Sequence, residues 1–265
     1  MKVAAIQMVS TPGLTQNLLD CAALMQQASD DGAGLLLLPE YWPVMGMRET
    51  DKFAVAEQFG AGTIQDFLSA SALKLGAWII GGTIPLISPD PAKVFNTTLV
   101  YNPDGKCIAR YDKIHLFGFN QDEESYQESR TILAGEQVVY VETDFGRVGL
   151  SVCYDLRFPE LYRAMGVCNL MVVPAAFTYT TGQAHWEILL RARAIENQCY
   201  VLAAAQGGKH LNGRRTWGHS MLIDPWGRIV DVLDAGEGVI SGDLDLPGLE
   251  AIRCSLPALM HRKLR

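Results

Sequence analysis

Apolar residues along this chain fall into two patterns. Short continuous runs, such as Leu35–Leu38 and Leu170–Val173, signal strands buried on both faces. Longer stretches carry apolar residues at helical spacing; Leu14, Leu18, Leu19, Ala22 and Met25 predict a helix over 14–29. Taken in order, strands are predicted at 2–8, 35–38, 78–84, 94–101, 107–111, 138–141, 147–152, 170–173, 200–205, 219–223, 228–232 and 238–244. Helices are predicted across most of 51–75, interrupted at Gly60-Ala61-Gly62, and at 159–165, 183–197 and 246–254. Three pairs of runs flank Asn102-Pro103-Asp104-Gly105, Asp144-Phe145-Gly146 and Asp224-Pro225-Trp226-Gly227, and these read as antiparallel hairpins. Residues 112–131 read as a long polar loop.

Hairpins interspersed with single strands between helices define an α/β protein with mixed, α+β-like sheets. One sheet of that many strands would be very wide, so two packed sheets with helices outside are expected. The sequence shows no linker, and residues 1–265 are expected to form a single domain.

Composition narrows the function. Asp and Glu outnumber Lys and Arg by 29 to 22, a net charge of -7, which argues against a nucleic-acid partner. No segment approaches the roughly 18 apolar residues of a membrane span, and Met1–Met8 is too short for a signal-peptide core. The expectation is a cytoplasmic protein with no membrane partner. The six cysteines are scattered without a C-x-x-C pair, which fits reduced thiols. The five histidines show no zinc-binding spacing, so no metal and no cofactor is expected.

Cys153 stands out by position. It follows the run Val148–Val152 and precedes Phe158-Pro159-Glu160, where proline suits a first helical turn. A thiol between a strand and a helix start is where cations and helix N-termini lower the pKa. An arbitrary cysteine in such a run is more often simply buried. Glu40 and Lys113 also follow predicted strands. Three such strands side by side would place carboxylate, ammonium and thiol at one sheet rim. The carboxylate could then take the thiol proton, the thiolate attack a carbonyl or nitrile carbon, and the ammonium stabilise the oxyanion. Charged residues commonly end strands, so residue types alone leave this open.

Three segments carry a family resemblance: P-E-Y-W at 39–42, Y-D-K-I-H-L-F at 111–117 and S-V-C-Y-D-L-R-F-P-E-L at 151–161. They resemble the signature segments of the nitrilase superfamily, the carbon–nitrogen hydrolases. Residues 174–201 and 218–227 resemble its Nit branch, and A-A-A-Q-G-G-K-H at 203–210 is similar to the deaminated-glutathione amidases rather than the ω-amidases.

The resemblance implies a four-layer α-β-β-α sandwich, a homodimer paired through its helices, and an amidase acting on a small-molecule amide through a thioester. It implies Glu40 as general base, Lys113 as cationic stabiliser, Cys153 as nucleophile and Glu128 as the second glutamate beside the lysine. Without it, Glu128 reads as one more solvated carboxylate. The backbone N–H of Tyr154 is a natural second oxyanion donor. Phe177, Thr178 and Thr181 follow a strand and should reach the same rim. Arg157 either binds a substrate carboxylate or pairs with Glu160 or Asp155. Gly213-Arg214-Arg215 either attracts an acidic substrate tail or is a solvated loop. Tyr41-Trp42 departs from the family pattern and is expected to reshape the acyl pocket. His185 and Trp186 read as packing or interface residues.

Overall fold

Alternation within the apolar runs decides the layering, because successive strand residues face opposite sides of a sheet. The computed structural model describes residues 1–121 and 124–263. In β1 (Lys2–Gln7) and β2 (Leu35–Leu37), Val3, Ala5, Leu35 and Leu37 join one hydrophobic cluster, while Ala4, Ile6 and Leu36 join another. Both faces are covered, which is why the runs read as continuously apolar.

The remaining strands follow in order: β3 (Trp78–Ile80), β4 (Ile84–Ile87), β5 (Val94–Tyr101), β6 (Cys107–Asp112), β7 (Gly118–Gln121), β8 (Glu124–Gln127) and β9 (Ile132–Leu133). Then come β10 (Tyr140–Thr143), β11 (Gly146–Leu150), β12 (Leu170–Ala175), β13 (Tyr200–Ala205), β14 (Ser220–Ile223), β15 (Ile229–Leu233) and β16 (Gly238–Asp243). The helices are α1 (Leu14–Asp30), α2 (Thr63–Leu75), α3 (Pro159–Ala164), α4 (Tyr179–Asn197) and α5 (Leu246–Ser255).

The first sheet runs β16-β1-β2-β3-β5-β4, with β6 and β9 also paired to β5; the second runs β10-β11-β12-β13-β14-β15. Residues of α1 and α2 cover the outer face of the first sheet, and Trp186, Leu190 and Ala194 of α4 join the second sheet's cluster. The order of layers is helices, sheet, sheet, helices, as the resemblance implied.

Four details differ from the sequence reading. The stretch 78–84 is two strands, broken at Gly81-Gly82-Thr83, and both lie along β5. Asp51–Val55 is a short 3-10 turn separate from α2. Helix α4 starts at Tyr179, four residues before the expected Gln183, because Thr178 caps it: its Oγ1 accepts from Thr181 N at 3.4 Å. Glycine at 182 is needed for close packing; a Cβ would meet Trp217 Cβ at 2.3 Å. Finally, the predicted loop 112–131 contains the β7–β8 hairpin, in which Gly118 pairs with Gln127 and Phe119 with Tyr126. Its acidic stretch masked the alternation; Asp122 and Glu123 lie outside the described residues.

Candidate active site

The three strands that deliver Glu40, Lys113 and Cys153 are not side by side. β2 and β6 belong to the first sheet and are separated there by β3 and β5; β11 belongs to the second. The residues meet because the two sheets pack face to face and their carboxyl ends converge at one rim.

Lys113 and Glu40 are buried, at 0% and 1% exposure. Lys113 Nζ donates to Glu40 Oε1 at 2.8 Å and to Glu128 Oε2 and Oε1 at 2.8 and 3.0 Å. Glu40 also accepts from Asn96 Nδ2 and from the Ala176 N–H, both at 2.9 Å. Glu128 accepts from Tyr41 Oη and from the Phe117 N–H, both at 2.7 Å. The β7–β8 hairpin explains how residue 128 comes to touch residue 113. It turns the chain back so that Glu128 N donates to Phe117 O at 3.0 Å. The bland reading of Glu128 as a solvated carboxylate is excluded by this geometry.

Electrostatics follow from the burial. Desolvation pulls the Lys113 pKa down, but the Glu128 and Glu40 carboxylates, and the Cys153 thiol behind them, carry it above the ordinary lysine value. Desolvation pushes Glu128 up; Lys113 and the bonds from Phe117 and Tyr41 overcome that and hold its carboxyl below the usual range. Cys153 behaves opposite to the sequence expectation. Burial, then the Glu40 carboxylate, push its thiol well above the ordinary value, and Lys113 only partly offsets them. The expected cation lowers the pKa as supposed, but two carboxylates and desolvation outweigh it.

Cys153 sits at φ 51°, a left-handed conformation that a non-glycine residue adopts only under constraint. The constraint is Asp155. Its Oδ2 accepts from the Val152 N–H at 2.8 Å and from Tyr111 Oη at 2.6 Å, while Oδ1 accepts from the His115 N–H at 3.0 Å. This buried carboxylate ties the nucleophile's turn to the segment carrying Lys113. Tyr154 follows in the first turn of a 3-10 helix, Cys153–Arg157, where N–H groups lack intrahelical acceptors.

A small cavity of about 250 Å³ opens onto the thiol, lined by Phe117, Glu128, Cys153, Tyr154, Ala176, Phe177, Thr178, Thr181 and Arg214. Phe177, Thr178 and Thr181 therefore reach the rim as expected. Trp186 shapes this wall from behind, with its ring 4.8 Å from Phe177. Arg157 does not line the cavity and pairs with neither Glu160 nor Asp155. Its guanidinium lies 5.7 Å and 5.4 Å from the Tyr154 and Phe177 ring centroids, and Nη1 is 3.3 Å from His185 Nδ1. Trp42 does not reshape the pocket either: it is fully buried, donates to Gly81 O at 2.8 Å and packs on Phe67. Tyr41 is the member of that pair that reaches the site.

A larger, more open hollow beside Phe95, Arg110 and Asp112 has no cysteine in its lining, and its Arg110 and Asp112 pair with each other at 3.0 Å. Among the described residues no cluster of His, Cys, Asp or Glu could hold a metal ion, and no helix is long and apolar enough to cross a membrane.

Of the two readings of Gly213-Arg214-Arg215, the solvated loop fails at Arg214, which lines the cavity. Sequence reasoning missed Asn96, Tyr41 as a Glu128 partner and Asp155 as the brace of the turn. Asn96 left a trace, as a polar residue inside the apolar run of β5; the others carried no positional signal.

Comparison with known proteins agrees with this geometry. Residues 2–254 match the carbon-nitrogen hydrolase family, and the chain belongs to it. It is a hydrolase of carbon–nitrogen bonds other than peptide bonds. A deaminated glutathione amidase of Synechocystis is 43% identical, covering 98% of this chain and 97% of the relative. Omega-amidase NIT2 of Xenopus tropicalis is 36% identical, covering 99% and 95%. The crystal structure of Saccharomyces cerevisiae Nit3, of branch 10 of the nitrilase superfamily, superposes with a TM-score of 0.88 at 32% identity, covering 100% of this chain and 97% of that one.

Proposed function

We propose that the protein hydrolyses the amide of deaminated glutathione, giving 2-oxoglutarate and cysteinylglycine, with Cys153 as nucleophile. The observation that carries this is the Glu40–Lys113–Glu128 ion network bearing on a buried thiol at a cavity. Glu40 takes the thiol proton as sulfur attacks the amide carbon. Lys113 bonds Glu40 and both oxygens of Glu128; with the Glu128 oxygens sharing one N–H, the remaining N–H and the Tyr154 N–H serve the tetrahedral oxyanion. The carbon–nitrogen bond then breaks, and the amine leaves with the proton held by Glu40. Water next gives a proton to Glu40 and attacks the thioester; the carbon–sulfur bond breaks and the sulfur recovers its proton. Glu128 holds the ammonium in place. In this reading Arg157, behind the Tyr154 and Phe177 rings, draws the oxo-acid carboxylate, and Thr178 and Thr181 line its path.

Cys153→Ala should abolish turnover, and acid-quenched wild type should carry the acyl mass on the peptide containing Cys153. Full amidase activity in Cys153→Ala would sink the mechanism. Side-by-side rates on deaminated glutathione, 2-oxoglutaramate and a simple nitrile test the substrate; 2-oxoglutaramate as the best of the three would favour an ω-amidase instead.

The reading extends to a homodimer paired through its helices, supported by exposed Ile188 and Ile195 on α4. It also extends to a cytoplasmic setting, supported by six free cysteines and checked by cell fractionation.

A further inference from the structure

Arg214 is in an unusual condition for a cation beside a nucleophile. Its Nη2 donates to Ala176 O at 3.1 Å, and its guanidinium lies 5.2 Å and 6.0 Å from the Tyr126 and Tyr41 ring centroids. Its Nε is one of two buried side-chain polar atoms without a hydrogen-bond partner among the described residues; the other, Gln198 Oε1, is at the far end of α4. Leaving a charged donor buried and unmet is costly, and such atoms are rare in folded proteins.

Position says what would meet it. Arg214 lines the cavity with Cys153, and it also lines a second hollow of about 340 Å³ with Tyr41, Met45, Arg48, Glu49, Lys52 and Asn212. It stands where the two meet. The other cations of the second hollow are committed: Arg48 pairs with Asp51 at 3.2 Å and Lys52 with Glu49 at 3.1 Å. Arg214 has no ion pair among the described residues. The inner cavity is small and is bounded on this side by Arg214. A substrate reaching Cys153 with an extended leaving group must therefore continue past Arg214.

We propose that Arg214 sets leaving-group specificity by binding a carboxylate on the amine side of the scissile amide, so that the site selects amides whose leaving amine ends in an acid. This rests on the amidase reading above and adds to it a second recognised charge, separate from the one assigned to Arg157. A guanidinium offers a carboxylate two parallel N–H groups, which suits an orphaned Nε next to its own Nη.

The test compares 2-oxoglutaryl-cysteinylglycine with its C-terminal amide, read as the ratio of kcat/KM values. Wild type should prefer the free acid by about tenfold to a hundredfold, the range expected of one charge-assisted contact. In Arg214→Met the ratio should fall close to one, and Arg214→Lys should recover part of it. A loss that is merely structural would lower both substrates together and leave the ratio standing, which overturns the assignment. So does a wild-type ratio near one, which needs no variant to fold. Hydrolysis of both substrates at equal rates keeps the amidase reading and removes only Arg214. Failure of wild type on both, and on 2-oxoglutaramate, removes the reading and the assignment together.

Discussion

A cysteine nucleophile can be activated in advance, by a lowered pKa, or during attack, by a base in contact with it. Cys153 belongs to the second kind, since burial and Glu40 hold its proton on sulfur. Lys113 is held as an ammonium by two carboxylates. Both shifts point upward, so the competent state, thiol with ammonium, persists as pH rises. The pH profile of kcat/KM should show no descending limb below about pH 9; a midpoint between about 7 and 9 would mean that one of the two titrates there. Stability carries the opposite sign. Above the ordinary thiol value of 9.0 the unfolded chain releases the Cys153 proton while the folded chain retains it, so folding weakens with rising pH. The slope is on the order of 1 kcal/mol per thiol per pH unit. Cys21 and Cys199 shift the same way. Thermal melts across that range should fall more steeply with pH for wild type than for Cys153→Ala, because the variant lacks one share of the loss.

Among the elements, the break between β3 and β4 does most to position the base. Gly82 has φ 56°, and a Cβ there would meet Pro39 O at 2.1 Å. Thr83 completes the contact: its N–H donates to Pro39 O at 3.3 Å and its Oγ1 accepts from the Tyr41 N–H at 3.0 Å. Glu40 is thus set by a neighbouring turn as well as by its own strand. Gly82→Ala should cost at least about 1 kcal/mol from the left-handed backbone alone, and should lower kcat by about a hundredfold if it displaces Glu40 by an ångström. Gly76→Ala is the control. It shares the left-handed φ, 58°, but nothing lies within 4 Å of its added Cβ; it should lose stability and keep kcat. Equal kcat in the two variants would refute the positioning role. The same break shows what the sequence could convey. The run W-I-I-G-G-T-I was legible as strand, because apolar β-branched residues specify it locally. That Gly82 makes room for Pro39 was not, since the contact joins residues more than forty positions apart. Glu128 was unreadable without the family resemblance for a like reason: its neighbours are acidic, and its partner is fixed by a hairpin whose alternation those acids hide. Strand ends bearing Glu40, Lys113 and Cys153 were legible singly, but their meeting depends on the packing of two sheets.

At the scale of the whole molecule, α4 joins the site to an outer face. Its first turn supplies Thr178 as cap and Thr181 to the cavity, and Trp186 and Leu190 bury into the second sheet. The opposite side carries Ile188 at 70% and Ile195 at 52% exposure. One helical repeat of seven separates them, which puts both on the same stripe. The turn after β14 extends that stripe: Ile195 packs so closely on Gly227 that a Cβ there would meet it at 2.6 Å, and the neighbouring Trp226 is 53% exposed. Large apolar side chains gathered on one exposed strip mark an interaction surface more often than scattered ones do. A second copy of the chain seated there would place helices against helices and leave both cavities open, because no residue of the strip lines either. The wild type should therefore sediment at twice 29.1 kDa, and Ile188→Glu, which sets a charge in the centre of an apolar contact, should sediment as one chain. The variant should keep most of its amidase activity, since the ion network and the cavity lie on the other side of α4. A wild type that sediments as a single chain at micromolar concentration would remove the dimer. A dimer that survives Ile188→Glu would move it to another face.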